Sequence, residues 1–225
     1  ESLPTIAEKS AGLERADGLL TTWHDRDRGR IYLEVPAPGE RGVAAELLYV
    51  EGLLTGLGSN PVGLDRGQLG PARLVHLRRL GQRVLLEEIN TRFRALTENP
   101  DEARAVRQSF ATSVLWAEKI AARESDGRTL VDLTSFMIRD AHGVVARLRD
   151  TRQGSFKLDT GRSVVDVDAF LAFPDNLELE AVLTYTGDKV GELVQATAPT
   201  AEAVTLVQHH SLIRLPGHGY TPRRF

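Results

Sequence analysis

The strongest constraint on this chain is a strict alternation of apolar and polar residues in its C-terminal third. In residues 163–173, Val165, Val167, Ala169, Leu171 and Phe173 share one phase, and Asp166 and Asp168 fall in the other. In residues 176–186, Leu177, Leu179, Ala181, Leu183 and Tyr185 alternate with Glu178 and Glu180. Successive side chains of a strand point to opposite faces, so each segment has one apolar and one polar side. Joined by the Pro174-Asp175 turn, the two predict an antiparallel sheet whose outer side meets water or another layer.

The rest of the chain extends that sheet. Residues 18–24 and 30–35 read as strands around the charged turn Asp25-Arg26-Asp27-Arg28-Gly29, with Ile31, Leu33 and Val35 on one face. Residues 73–79 and 82–89 form a hairpin at Leu80-Gly81, with outward arginines on both arms. Further strands are expected at 113–120, 129–137 and 204–213. Helical signals are few. Residues 3–13 can form a short helix just after Pro4, weakened by Gly12. Asn99 is a good N-cap, Pro100 fits the first helical position, and Asp101 and Glu102 suit the positive dipole end. Ala103, Val106 and Phe110 then give that helix a stripe to bury. A second short helix starts at Asp140, with Ala141, Val144, Val145 and Leu148 on one face. About ten strands without a strand–helix rhythm predict a sheet-dominated, mostly antiparallel α+β fold with two or three short helices, neither Rossmann nor barrel. Residues 1–215 read as one sheet-rich domain, with a candidate break into two sublobes near 95–110.

Composition narrows the function classes. The 225 residues carry 28 Lys+Arg against 31 Asp+Glu, a net charge of -3. A dedicated nucleic-acid binder needs a basic surplus for phosphate contacts, so the near-neutral charge argues against that class. No apolar run approaches the ~18–20 residues of a membrane-spanning helix. With no cysteine, the chain has no disulfide, thiolate metal site or cysteine nucleophile. Glu1 opens the sequence without an initiator Met, and the Pro/Gly-rich run 216–225 reads as a connector toward a missing domain. Both point to a piece of something longer.

Four motifs invite chemistry. Asp159-Thr160-Gly161 matches the aspartic-protease signature, in which two aspartates share a proton. Only one copy is present, and the adjacent Arg162 favours an ionised Asp159, so a polar turn entering the following strand is preferred. A hydrolase around Asp159 stays as an alternative. His209-His210 suggests a metal, yet neighbours on a strand face opposite ways, so one packs inside and one outside. His24, His76, His142 and His218 lie scattered, with no His-x-x-x-His pair. The six glycines between Gly52 and Gly70 lack a Gly-Lys-Ser/Thr and read as a long turn positioning Asn60-Pro61 and Asp65-Arg66. Asp25-x-Asp27-x-Gly29 opens like a calcium loop, but Arg30 takes the third acidic position and no glutamate closes it. The bias of 24 Arg against 4 Lys, interleaved with acids, suggests internal or interface ion pairing.

Nine segments in order carry a resemblance: LPTIAEKSAGL, RGRIYLEVP, ELLYVEGLLTGLGSNPVGLDRGQLG, RVLLEEINTRFRA, SVLWAEKIA, LVDLTSFMIRD, SFKLDTGRSVVD, FPDNLELEAVLTYTG and VTLVQHHSLIRLP. Together they resemble the non-catalytic region, a domain of unknown function, that precedes the peptidase domain in large bacterial zinc-dependent metalloproteases of the Met-zincin type. The resemblance covers nearly the whole chain. In that family the run GYTPRRF typically continues into a further Asp-Pro-Arg segment and then the protease domain. The family's His-Glu-x-x-His signature is missing from these residues, so no catalytic or zinc residue carries over. The resemblance implies an accessory domain with no cofactor of its own, zinc in the parent protein, and export to the periplasm, cell surface or medium. Its implied partner is the C-terminal peptidase domain of the same polypeptide, and a peptide substrate is a further candidate. Tyr220, Arg223, Arg224, His209 and His210 are the candidate contact residues. The rival from another class is an autonomous module that binds peptide or glycan along a sheet edge, favoured if Trp23, Trp116 or tyrosines line a concave face.

Overall fold

A computed structural model describes residues 3–93, 95–217 and 219–221. Its strands are β1 (Glu14–Ala16), β2 (Thr22–Asp25), β3 (Arg30–Val35), β4 (Val43–Leu53), β5 (Arg73–Leu80), β6 (Arg83–Glu88), β7 (Ser113–Arg123), β8 (Thr129–Asp132), β9 (Ser155–Ala172), β10 (Asn176–Asp188) and β11 (Ala203–Arg214). The helices are α1 (Ile6–Lys9), α2 (Pro100–Ser109), α3 (Thr134–Met137), α4 (Val144–Asp150) and α5 (Glu192–Thr197). All eleven strands join one antiparallel sheet in the order β1-β2-β3-β8-β7-β6-β5-β4-β11-β10-β9. The sheet curls into a half-barrel. Its two ends approach each other where Leu19 N donates to Phe173 O (2.7 Å) and Arg26 pairs with Asp168.

The concave face holds the main core. The inward phase of β10 (Leu177, Leu179, Ala181, Leu183, Tyr185) is fully buried, as the alternation requires. Phe136 and Met137 of α3, Val144 and Leu148 of α4, and Val194 of α5 close over it. The glycine-rich segment after β4 is a plug in this core, with Leu57, Val62 and Leu64 buried. Asn60 shapes it as an Asx turn, accepting from Val62 N (2.9 Å) and donating to Leu57 O (2.8 Å). A Cβ at Gly56 would stand 2.5 Å from Arg66 N and from Leu64 O, both backbone atoms. Gly56→Ala is therefore expected to destabilise by about 1–3 kcal/mol in urea unfolding, since neither neighbour is a side chain that can swing away. A second, small cluster of Ile6, Tyr32, Ala122 and Leu130 sits beneath α1.

Several elements depart from the sequence reading. The helix expected at 3–13 is a single turn, started by a Thr5–Glu8 capping box and followed by Gly12 at φ +80. The strand expected at 129–137 stops at Asp132, whose Oδ1 accepts Thr134 N (2.8 Å) and opens α3. The helix assigned from Asp140 begins at Val144, because the Asp140 carboxylate accepts Val144 N (2.7 Å) and Val145 N (2.9 Å). α2 starts where Asn99 and Pro100 place it, but none of its residues is buried and Phe110 instead stacks on Phe93 at 3.8 Å. With α5 included, the described residues form five short α-helices rather than two or three. No described helix is long and apolar enough to cross a membrane.

Candidate functional site

β11 presents two different polar sites, one on each face. His210 points into the half-barrel and is completely buried, while His209 points outward and is half-buried. The adjacent histidines therefore never share a ligand.

On the inner face His210 belongs to a closed network. Gln208 Oε1 accepts Ala141 N (3.1 Å) and His142 N (3.0 Å), which fixes its amide so that Nε2 donates to Arg139 O (3.1 Å). The same Nε2 lies 3.0 Å from His210 Nε2, which must then be the acceptor. The proton of neutral His210 is accordingly on Nδ1, directed at Tyr49 Oη (2.9 Å). Arg139 donates to that oxygen (2.7 Å) and to Phe136 O (2.9 Å), and its guanidinium lies over the Phe136 ring at 4.8 Å. Asp140 accepts from Tyr185 Oη (3.2 Å) as well as from α4. The whole arrangement pins residues 139–145 to the sheet.

Burial sets the protonation of this network. His210 is held well below the usual imidazole range by burial, aided by the positive Arg139. Burial pushes Tyr49 up to about 12, and burial with the Asp140 carboxylate raises Tyr185. His24 and His142 are also lowered, chiefly by burial. The unfolded chain binds protons at these histidines below about pH 6.5, where the folded chain does not. Stability is thus full above that pH and falls as pH drops, by about 1.4 kcal/mol per pH unit for each histidine still neutral only when folded. Urea unfolding from pH 7.5 to 4.5 checks this. His210→Gln is expected to flatten the pH dependence, because it removes the most deeply buried of the three.

The outer face is ordered by register into rows across the strands. Val164, Val182 and Val207 form one row. Asp166, Glu180, His209 and Gly52 form the next, with Leu69 lying over Gly52. Leu171, Glu178, Ser211 and Val50 follow, then Asn176, Ile213, Leu48 and Leu74. His209 Nε2 is 2.6 Å from Glu178 Oε2, which also accepts from Ser211 Oγ, and Nδ1 lies 3.4 Å from Glu180 Oε1. Glu178 thus engages Nε2, whereas Nδ1 is buried beside Glu180 without a hydrogen bond. A nucleophilic triad needs the serine to hand its proton to histidine, whereas Ser211 Oγ lies 3.4 Å from His209 Nε2 and donates at closer range to the Glu178 carboxylate. Among the described residues, no group of three His, Cys, Asp or Glu is placed to hold a metal. The rim of this face is apolar and open, with Val164 57%, Leu171 53% and Leu69 71% exposed.

Asp159 lies inside β9, in a bulge. Residues 160–163 stand opposite the single Leu183, between the pairs Asp159–Thr184 and Val164–Val182. Its Oδ1 accepts Gly161 N (3.1 Å) and Arg162 N (3.2 Å), and its Oδ2 accepts Arg162 Nε (2.9 Å). The Arg162 guanidinium holds its carboxyl below the usual range. This geometry shapes a bulge around an ionised carboxylate. Tyr220 is exposed, and Arg223 and Arg224 lie outside the described residues. Residues such as Tyr49, Arg139, Gln208 and Glu178 were not singled out in the sequence as site residues. The phase of residues 204–213 does place Gln208 and His210 with Val204, Leu206 and Leu212.

The sequence profile of the family described as a domain of unknown function, DUF5117, matches residues 67–225. No curated protein and no solved structure matches the chain.

Proposed function

This chain belongs to the DUF5117 family, a domain of unknown function, and from that premise we propose that it is a non-catalytic accessory domain of a zinc-dependent metallopeptidase of the Met-zincin type. The observation that carries the reading is the outer face of β4, β11, β10 and β9, where open aliphatic rows flank the Glu178–His209–Glu180 cluster. Exposed aliphatic side chains around a few fixed polar groups are the composition of a protein interface. Its proposed occupant is the peptidase domain of the same polypeptide, which would carry the zinc and the catalytic residues. The ordered segments that resemble the region before that domain add support. On this reading the protein is exported, to the periplasm, the cell surface or the medium.

The test is metal analysis and peptide hydrolysis by the purified chain, compared with the full polypeptide. The reading expects neither bound zinc nor cleavage from this chain alone, and both from the full polypeptide. Stoichiometric zinc with cleavage by residues 1–225 would sink it.

A sheet-edge binding module is less well supported. β9 is a long edge strand, but it is bulged at 160–163 and again at 167–170. Asp159 and Asp166 occupy backbone N–H groups in those bulges, so few remain for an added strand. Trp116 is buried with its Nε1 on Ser135 (2.8 Å), and Tyr49 and Tyr185 are core. The Asp159 hydrolase keeps only its motif, because its carboxylate is committed to Arg162.

A further inference from the structure

Many of the described arginines pair with a carboxylate. Arg73 meets Glu51, Arg78 meets Glu87, Arg128 meets Glu34 and Asp126, and Arg214 meets Asp175. One cavity gathers three cations that do not. It lies where the turn into β6 meets β7 and the segment leading into α1, away from both faces of β11. Its volume is about 760 Å³, and Arg83, Lys119 and Arg123 line it together with Glu124, Leu3 and Ile120.

None of the three cations has an acidic partner among the described residues. Arg83 and Lys119 are direct cross-strand partners, an arrangement of like charges that destabilises a sheet. Arg123 donates to Gln82 Oε1 (2.9 Å), yet its Nε is buried with no acceptor. An N–H removed from water and left unpaired is costly, more so on a charged group. The acid in the wall is already engaged, since Glu124 Oε1 accepts Ile6 N (2.8 Å). A repulsive pair and an orphaned guanidinium N–H thus meet at one cavity, and a negative ligand there offsets the repulsion and reaches Arg123 through its outer nitrogens.

We infer that this cavity binds an oxyanion, carboxylate or phosphate, with Arg83, Lys119 and Arg123 as its donors. Guanidinium and ammonium donors lining one cavity suit a compact oxyanion, and Leu3 and Ile120 supply an apolar wall for whatever carries it. The inference does not depend on the peptidase reading.

The test titrates inorganic phosphate, and separately acetate, into the ¹⁵N-labelled chain at constant ionic strength set with chloride. Saturable amide shifts confined to residues 82–83 and 119–124 are expected. Saturation by phosphate alone identifies a phosphoryl ligand, and saturation by acetate as well identifies a carboxylate. Combined Arg83→Gln and Lys119→Gln should weaken binding at least about tenfold. In anion-free, low-salt buffer the same variant should raise Tm by roughly 1–4 °C, because the repulsion is gone. Shifts that never saturate and spread over other exposed arginines such as Arg66 and Arg152, or unchanged affinity in the double variant, would overturn the inference.

Discussion

Val182→Arg combined with Val207→Arg should weaken association with the proposed peptidase domain by about 100-fold while leaving this domain folded. The two valines are register partners at the centre of the outermost apolar row, beside Val164. Their side chains point away from the core, so long cations there still reach water, and the cost to stability should stay below about 1 kcal/mol. In an interface the same cations would be buried without partners, a penalty of several kcal/mol. Binding of the separately purified domains, read by calorimetry beside urea unfolding of the variant, separates the two quantities. Loss of binding with an unchanged unfolding midpoint is the expected pair of results. Unchanged affinity would move the interface elsewhere.

Gln208→Leu should have the largest effect on stability, about 3–5 kcal/mol in urea unfolding. The leucine fits the volume, but Ala141 N, His142 N and Arg139 O lose their partner around the fully buried Gln208 side chain. Each orphaned buried group costs about 1–3 kcal/mol, and His210 Nε2 loses its donor as well. The segment 139–145 should loosen first, with raised hydrogen exchange at Val144 and Val145 before global unfolding. By contrast His209→Gln, one residue away on the other face, should cost less than about 1 kcal/mol. Similar losses from both substitutions would contradict the division of β11 into a structural inner face and an outer face free of structural load.

How much of this was legible in the sequence follows from the range of each interaction. The phase of β10 is a local property of thirteen residues, and it fixes which side chains are core. Opposite facing of His209 and His210 needs nothing more than strand geometry. The asparagine cap of α2 was legible for the same reason, whereas the exposure of its apolar stripe was not, since propensity carries no information about what lies opposite. The inner network was illegible because its bonds are distant in sequence, 161 residues from Tyr49 to His210 and 67 from Ala141 to Gln208. At Asp159-Thr160-Gly161 the neighbouring Arg162 was the legible signal: the carboxylate is spent on it and on the nearest backbone N–H groups.

Hydrogen exchange by mass spectrometry, comparing residues 1–225 alone with the full polypeptide, tests the docking account most directly. The account predicts slower exchange in the full polypeptide within β4, β9, β10 and β11 and the segment around Leu69, with β1 to β3 unchanged. Identical exchange across those four strands in the two samples would contradict it.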